Sequence, residues 1–424
     1  MKKQLLSILT ALTLCLTLLP TAALATNEPL DGTNGINITS SNMEDATVTG
    51  SATANAAEAD ITDEVDLTKD PGKDFSGYEA MLTTASGVTY YKTFSEASEA
   101  AQKNADSTIK LLNDISTSNG FNFLEGTFTI DLNGKNISGG TTAIAFNSDQ
   151  GKDQHSTAKV TLINTADEKS TVKGNRNYAA QIDGKDKGTK LTIGREDSLA
   201  NNIEFSTSTD SWYCQAINIG QGTTELYGGT YTSTARNCKA IYGSGGKVVL
   251  IIHGGRYTGA AAAVDFDGSE LTIEGGEFEA TANDYSLVIS EYVKKVELSG
   301  GTFKGIKAAR PLSELLKDGY SFKKDDGSWL TETELAAAST TETVTVVEKP
   351  LKSMTVKING EAVEDSYSAT INEKLTFTVE TDPANADAAV TWSIDGASVD
   401  GSSYTPDKSG TYTLKCEAKK DGYS

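Results

Sequence analysis

A short phrase that occurs four times between Leu226 and Phe303 constrains the fold more than any other part of the chain. Each copy holds alternating apolar residues, a Gly-Gly pair, one variable residue and an aromatic ring. The first glycine and the ring of the four copies are Gly228 and Tyr231, Gly254 and Tyr257, Gly275 and Phe278, and Gly300 and Phe303. The copies therefore recur with a period of roughly 21–26 residues, which is typical of stacked repeat proteins.

Short segments with the period of two that marks a β-strand surround these phrases. Examples are residues 126–137, 159–164 and 190–194, and no apolar stripe of helical period longer than two turns occurs in this region. Counting the turn positions from Gly134 to Gly300 gives about seven coils. The sequence therefore predicts an all-β fold in which coils of two or three short strands stack over residues 78–310.

The recurring rings have two possible roles in such a stack. Equivalent side chains of neighbouring strands lie about 4.8 Å apart, so the four rings would form an internal aromatic ladder. The paired glycines would occupy a sharp corner that needs φ > 0 or a missing Cβ. The same row of rings could instead be an exposed carbohydrate platform, but the apolar residues in the same register favour the core.

Two cysteines test the register of the coils. Cys214 lies two residues before Ala216, and Cys238 lies two residues before Ala240 in the corresponding segment of the next coil. The distance between neighbouring strands falls inside the Cα–Cα range that a disulfide tolerates. We therefore expect a Cys214–Cys238 disulfide in an exported protein, and two stacked reduced thiols are the alternative.

The N-terminal part of the chain, up to position 77, predicts export followed by a linker. Residues 1–25 read as a signal peptide, with Lys2 and Lys3 ahead of an apolar run and a small-residue cleavage site at its end. An apolar run of about 15 residues is too short to span a bilayer. Residues 26–77 are rich in Asn, Thr, Ser, Ala and acid, so we expect a disordered linker. The predicted location is secreted or cell-surface, without membrane insertion after cleavage of the signal peptide.

The charge of the chain excludes one class of partner. The formal net charge is −21, and no basic stripe for a phosphate backbone is present. So much negative charge repels nucleic acid and anionic lipid. We expect no nucleic-acid partner.

Segments at both ends of the repeats are interpreted as caps. A helix with Ser95 as its N-cap is expected ahead of the first coil, where it would cover open strand edges. Residues 311–330 are interpreted as a C-terminal cap, with a short helix and a hairpin that turns at Asp326-Gly327. Residues 331–350 are rich in Thr, Glu and Ala and are interpreted as a linker that is partly an extended strand.

From residue 351 the strand patterns become longer and resemble an immunoglobulin-like (Ig-like) sandwich. Val379 stands where the first core cysteine belongs, and Trp392 follows at the place of the core tryptophan. Tyr412 matches the tyrosine corner, and Leu414 stands in place of the second cysteine. We expect a Val379–Leu414 contact instead of a disulfide. No seventh strand pattern is present, so residues 351–424 are interpreted as an incomplete Ig-like domain.

The phrases TFSEASEAA, STIKLLNDIS, FTIDLNGKNI and the recurring GGTF are distinctive together. They resemble a family of surface proteins of Gram-positive anaerobic bacteria. The resemblance implies a right-handed parallel β-helix of the pectin-lyase-like type, followed by bacterial Ig-like domains. Because these motifs are structural, they imply a fold more directly than an activity.

An enzyme is the alternative that such a fold raises. A hydrolase would need carboxylates that converge on one face, and Asp265 and Asp267 are the best candidates, with Glu270 just beyond. A lyase would need Ca²⁺-binding acids and a basic residue, which Arg236 or Arg256 could supply. The solvated outer face that every coil must have explains the same residues, and we favour that interpretation.

One pair of aromatic residues is a candidate for ligand binding. Trp212 and Tyr213 lie in a polar turn beside the predicted disulfide, where a ring could stack on a sugar. Buried packing within the turn is the alternative.

No cofactor or metal motif is found. His155 and His253 are isolated and lack the ligand spacing of a zinc site. We therefore expect neither a cofactor nor a metal. The favoured function is a non-enzymatic structural or adhesion protein with glycans or host surface proteins as candidate ligands, and the alternative is a polysaccharide lyase or glycoside hydrolase that acts on acidic polysaccharide.

Overall fold

The computed structural model describes residues 75–147, 155–197, 200–207, 213–350, 353–364, 366–382 and 389–419. The predicted signal peptide and almost all of the predicted 26–77 linker lie outside these ranges. The described part of the protein is all-β, with one large and mostly parallel sheet. None of its helices is long and apolar enough to cross a membrane.

The helical segments are short. They are α1 (Phe94–Gln102), a 3₁₀ helix (Leu312–Leu315) and α2 (Glu332–Ala336). The strands of the large sheet are β1 (Ala80–Thr84), β2 (Gly87–Tyr91), β3 (Ser107–Leu111), β4 (Ile115–Thr117), β5 (Phe121–Asn122), β6 (Thr127–Asp131), β7 (Ile137–Gly139), β8 (Thr142–Phe146), β9 (Lys159–Ile163), β10 (Ser170–Gly174), β11 (Tyr178–Asp183), β12 (Lys190–Ile193), β13 (Ile203–Thr207), β14 (Gln215–Ser233), β15 (Lys239–Ser244), β16 (Val248–Gly259), β17 (Ala262–Asp267), β18 (Glu270–Ile273), β19 (Glu277–Ala280), β20 (Leu287–Ile289), β21 (Lys295–Leu298), β22 (Thr302–Ala308), β23 (Tyr320–Lys324) and β24 (Ser339–Glu348). The strands of two smaller sheets are β25 (Ser353–Ile358), β26 (Glu361–Ala362), β27 (Leu375–Asp382), β28 (Ala389–Ile394), β29 (Ala397–Ser398), β30 (Ser403–Tyr404) and β31 (Leu414–Lys419).

Most strands of the large sheet belong to three rows of parallel strands. The first row is β3, β6, β9, β12, β14, β16, β18 and β21. The second row is β4, β7, β10, β13, β14, β16, β19 and β22. The third row is β5, β8, β11, β14, β15, β17, β20 and β22. The long strands β14, β16 and β22 contribute to more than one row.

The chain visits the three rows always in the same order, so three successive strand segments make one layer. Each row contains eight strands among the described residues, one more than the roughly seven coils expected from the turn positions. The additional layer is the first one, residues 107–122. No glycine lies between its first two strands, β3 and β4, whereas the marker residue Gly134 lies between β6 and β7, so a count of turn glycines misses it.

The core lies between the rows, and its side chains repeat in register from layer to layer. The first row contributes one column of fully buried aliphatic residues: Ile109, Ile130, Leu162, Ile193, Leu226, Ile252, Ile273 and Leu298. Branched side chains suit this position because they pack well on a pleated surface. Replacing one of them by alanine is expected to cost about 2–5 kcal/mol of stability.

Helix α1 packs against the first layer. Phe94, Ala97 and Ala101 are buried, and the Phe94 ring meets Phe121 edge-on with ring centres 4.6 Å apart. The expected N-cap, Ser95, is wrong. Thr93 is the N-cap, because it forms a capping box with Glu96 three residues later.

Residues 331–350, interpreted from the sequence as a linker that is partly an extended strand, contribute a strand to the large sheet. Residues 332–336 form α2, and β24 pairs antiparallel with both β22 and β23. Val344 and Val346 of β24 are buried, so this strand covers apolar surface that the last layer would otherwise expose. The hairpin expected at Asp326-Gly327 is present, with a bridge between Lys323 and Trp329.

Residues 353–419 form two antiparallel sheets, β26-β25-β27-β30 and β29-β28-β31. Trp392 is buried and lies 5.2 Å from the Phe377 ring, measured between ring centres. Val379 and Leu414, expected to be in contact, are partly buried members of the cluster around Trp392. The hydroxyl of Tyr412 donates a hydrogen bond to the Lys408 carbonyl at 3.0 Å.

Candidate functional site

The aromatic rings of the repeated phrase form one stacked column inside the large sheet. Phe278 is 3 % exposed, and Tyr231, Tyr257 and Phe303 are fully buried. Ring centres lie 4.8 Å apart for Tyr231–Tyr257 and Tyr257–Phe278, and 4.6 Å apart for Phe278–Phe303. Phe205 extends the column by one ring at 5.6 Å. Since the column lies in the core, it is not an exposed platform for carbohydrate.

The two tyrosines of the column keep their hydroxyls satisfied within their own copy of the phrase. Tyr231 donates to the Gly228 carbonyl at 2.9 Å, and Tyr257 donates to the Gly254 carbonyl at 2.7 Å. Burial raises the pKa of both phenols above the ordinary value. The hydroxyls are therefore neutral structural donors that are unavailable for chemistry.

The paired glycines, expected at a corner that needs φ > 0 or a missing Cβ, meet these needs in different ways, and the second glycine of every pair has a left-handed φ. The φ angles of the second glycines are 92° at Gly229, 113° at Gly255, 111° at Gly276 and 98° at Gly301. Among the first glycines only Gly228 has a left-handed φ, of 87°. Gly300 is required for another reason, since a Cβ there would lie 1.8 Å from the Glu274 carbonyl oxygen. At Gly275 a Cβ would lie 2.7 Å from the His253 carbonyl oxygen, whereas at Gly254 it would meet no atom within 4 Å.

The structure joins Cys214 and Cys238 in a disulfide, with Cα atoms 5.0 Å apart. Both residues are fully buried, and they form a small cluster with Ala235. Cys214 precedes β14 and Cys238 precedes β15, so the bond links two neighbouring layers of the third row.

The structure brings only some of the residues proposed for an enzyme onto one face. Asp265 and Asp267 do share the outer face of β17, but Asp265 is paired with Lys239 at 3.0 Å. Glu270 lies on β18, in the first row, where it pairs with Lys187. Arg256 lies in the second row, where it pairs with Glu277, and exposed Arg236 lies between β14 and β15. Hydrolysis by paired carboxylates needs two such groups facing one bond; Asp265 and Asp267 share a face, whereas Glu270 and the two arginines do not lie on it.

Asp267 has one unusual feature. Its Oδ1 atom is buried and has no hydrogen-bond partner among the described residues. The neighbouring Asp265 belongs to a local cluster in which Lys239 also lies over the Tyr242 ring, 4.6 Å from its centre.

Of the two residues proposed for ligand binding, Trp212 lies outside the described residues. Tyr213 is 68 % exposed, so its side chain lies on the surface and is not buried. The isolated His155 is exposed as well.

A charged network on the outer face of the first row was not recognised from the sequence. Lys190 Nζ lies 2.5 Å from Glu225 Oε2. The His253 ring lies between two carboxylates: its Nε2 is 3.3 Å from Glu225 Oε1, and its Nδ1 is 2.6 Å from Glu274 Oε2. Tyr227 donates to Glu225 at 3.2 Å and stacks on the His253 ring with centres 4.0 Å apart. The network links four neighbouring layers, and His253 is therefore not isolated.

The network changes the acidity of two of its members. Burial raises the pKa of the Glu225 carboxyl, but hydrogen bonds from Lys190 and His253 outweigh it, so the pKa lies below the ordinary value. Burial and the Glu225 charge raise the pKa of the Tyr227 phenol. The sequence did contain a signal, since Tyr227, His253 and Glu274 each stand directly before a Gly-Gly pair.

A groove of about 230 Å³ lies on the outer face of the second row, near the last three rings of the column. Its polar lining comes from the residues on either side of those rings and from β24: Arg256, Thr258, Glu277, Glu279, Thr302, Lys304 and Thr343. Arg256 Nη2 lies 2.5 Å from Glu277 Oε2, and Lys304 Nζ lies 3.8 Å from Glu279 Oε1. These four side chains are 51–63 % exposed. The groove was not foreseen, because it depends on which charges face each other across neighbouring strands.

The described residues contain no group of three or more His, Cys, Asp or Glu side chains arranged to hold a metal ion. Comparison of the chain with protein-family models, curated proteins and solved structures finds no match.

Proposed function

We propose that the three rows of the large sheet are the three faces of a right-handed parallel β-helix. The fixed order in which the chain visits the rows supports this topology. Right-handed connections are strongly preferred between parallel strands, in about 98 % of cases. The motifs that resemble the pectin-lyase-like surface proteins support the same fold.

We also propose that residues 351–424 form an Ig-like domain. The hydrophobic cluster of this region draws side chains from both antiparallel sheets, as a sandwich requires: Ile358 and Phe377 from one, Trp392 and Ile394 from the other. The Tyr412 hydrogen bond to a backbone carbonyl four residues earlier is of the kind that a tyrosine corner makes.

For function, we infer a secreted or cell-surface structural or adhesion protein, in which the β-helix is a stalk or recognition module and the Ig-like domain is a spacer. The supporting observation is the continuous buried column of rings and aliphatic residues. Its interior is filled by side chains, so only the polar outer faces are available for contact with a ligand. Glycans and host surface proteins are the proposed ligand classes.

Binding screens test this proposal. The purified chain that lacks the predicted signal peptide is applied to a glycan array and to immobilised mucin and host surface proteins. We expect saturable binding to a subset of these ligands. If the folded protein binds none of them, the recognition role is wrong and a spacer without a ligand remains.

A lyase or hydrolase is the competing proposal, with Asp265 and Asp267 as its carboxylates. The Lys239 ion pair speaks against it, because a neutralised carboxylate is a poorer base or nucleophile. Incubation with pectin and other uronates in the presence of Ca²⁺ tests it. We expect no reducing or unsaturated sugar, and release that is lost in the Asp265→Ala/Asp267→Ala variant would establish the enzyme.

A further inference from the structure

We propose that the groove on the second row binds one uncharged, hydroxyl-rich sugar unit of a glycan through Arg256, Glu277, Glu279 and Lys304. This inference rests on the recognition role proposed above and names its site and ligand class.

The lining of the groove alternates hydrogen-bond donors and acceptors. Arg256, Glu277 and Thr302 occupy one column across three neighbouring strands, and Thr258, Glu279 and Lys304 flank the same rings on the other side. Guanidinium and ammonium groups only donate, and carboxylates only accept. A sugar hydroxyl does both, so two adjacent hydroxyls of one ring can accept from a cation and donate to a carboxylate. Hydrogen bonds to charged groups are about twice as strong as neutral ones.

The ion pairs of the groove can exchange partners at little cost. All four charged side chains are more than half exposed, and exposed pairs contribute little to stability because water screens them. A ligand that separates Arg256 from Glu277 and forms a hydrogen bond with each of them therefore breaks an ion pair that contributes little to the stability of the protein.

The charge balance favours an uncharged ligand. The groove contains two cationic and two anionic side chains, and the whole chain has a formal net charge of −21. A uronate or sulfated glycan would be repelled by that field without a local excess of positive charge to compensate. The groove is thus unlike a site for acidic polysaccharide.

The volume of the groove, and the paired strands that form its floor, favour a single sugar ring as the ligand. Its volume of about 230 Å³ lies below the roughly 300–1,000 Å³ of pockets for larger ligands. Tyr257 and Phe278, which also line it, are buried members of the stacked column. Paired strands therefore fix the backbone that carries the polar groups, and only the exposed side chains have to be ordered when a ligand binds.

The experiment measures binding of cellohexaose, mannohexaose, chitohexaose and oligogalacturonate by isothermal titration calorimetry, with the chain that lacks the predicted signal peptide. The test variants are Glu277→Gln/Glu279→Gln, which keeps the side-chain shape, and Thr258→Val, which keeps the charge. The control is Glu204→Gln, on the outer face of the same row three layers earlier and paired with Lys169. Thermal unfolding of each variant confirms that it is folded.

We expect at least one uncharged hexaose to bind, with affinity reduced about tenfold or more in the double variant, reduced less in Thr258→Val, and unchanged in Glu204→Gln. Equal binding by all four proteins would overturn the groove as the site while leaving the recognition role intact. Binding of oligogalacturonate alone would overturn the ligand class. If the unmodified chain binds no glycan in this set or on the array, the glycan part of the recognition role fails together with this inference.

Discussion

Single atoms decide the fit between neighbouring layers at the Gly-Gly corners. At Gly300 an added Cβ would lie 1.8 Å from the Glu274 carbonyl oxygen of the preceding layer. At Gly254, the same position in another copy, an added Cβ would meet no atom within 4 Å, and the residue does not have a left-handed φ. The two positions read identically in the sequence but carry different constraints.

Alanine substitution at these two glycines separates the constraints. We expect Gly300→Ala to lower the free energy of unfolding by about 1–3 kcal/mol or more, because the clash involves backbone that can move only with its strand. Gly254→Ala is the matched control, and we expect it to be neutral or to stabilise by up to about 1 kcal/mol. Urea unfolding measures both, and equal losses at the two positions would contradict the described register.

The repeated phrase predicts part of the ring column and part of the corner geometry. The ring column follows from the pattern alone, because the aromatic position recurs in register with apolar neighbours. Phe205 could not be assigned to the column, since its segment lacks the Gly-Gly pair. Which glycine of a pair adopts φ > 0 depends on backbone contacts between layers, and a pattern does not contain these.

At the scale of the element, strands of the first row are tied together by the charged network of Lys190, Glu225, Tyr227, His253 and Glu274. Although burial acts in the opposite direction, hydrogen bonds hold the pKa of Glu225 below its ordinary value of 4.5. Such a group stabilises the folded state above its unfolded pKa, and the contribution disappears as the pH falls through the folded pKa. The network should therefore weaken in acid.

We expect Glu225→Gln to be destabilising at pH 6 and to approach the unmodified chain as the pH falls below about 4.5 and through the lowered pKa of Glu225 in the folded protein, where its carboxyl becomes protonated. Chemical unfolding at a series of pH values measures the difference. Glu204→Gln serves as the control. A difference that is independent of pH across this window would show that Glu225 acts through packing alone.

The elements at the two ends of the sheet show why parts of the fold were not predicted. The N-cap of α1 was placed two residues late, because Ser95 is a good cap residue and the Thr93–Glu96 reciprocal bonds were overlooked. The sequence predicts an extended strand within residues 331–350 but assigns it to a linker, because the Thr- and Glu-rich composition resembles one. The two buried valines of β24, Val344 and Val346, stabilise it as a strand of the sheet. The sequence of this segment alone does not show that it lies beside the open edge of β22.

Across the described part of the molecule, the unifying feature is a series of eight layers whose strands pair in three parallel rows. The sequence predicts the strand class, the stacking and the approximate number of layers, because periodicity reports on burial. It does not predict the groove or the charged network, because these depend on side chains from different layers meeting across the outer face. The buried Cys214–Cys238 bond joins two such layers, and closing a loop of this length is worth about 3–4 kcal/mol.

Distances between outward positions of the first row test the stack most directly. Thr129, Thr161, Thr192 and Thr272 occupy one register on β6, β9, β12 and β18. Spin labels are attached to cysteines introduced at these positions in the chain that lacks the predicted signal peptide, with Thr129 as the fixed partner of each other site. Cys416, the free cysteine among the described residues, is replaced by serine so that it is not labelled. Electron–electron distance measurements should grow by about 4.8 Å per layer, reaching about 24 Å between Thr129 and Thr272, five layers apart. Distances that do not rise with layer number would contradict the stacked parallel rows.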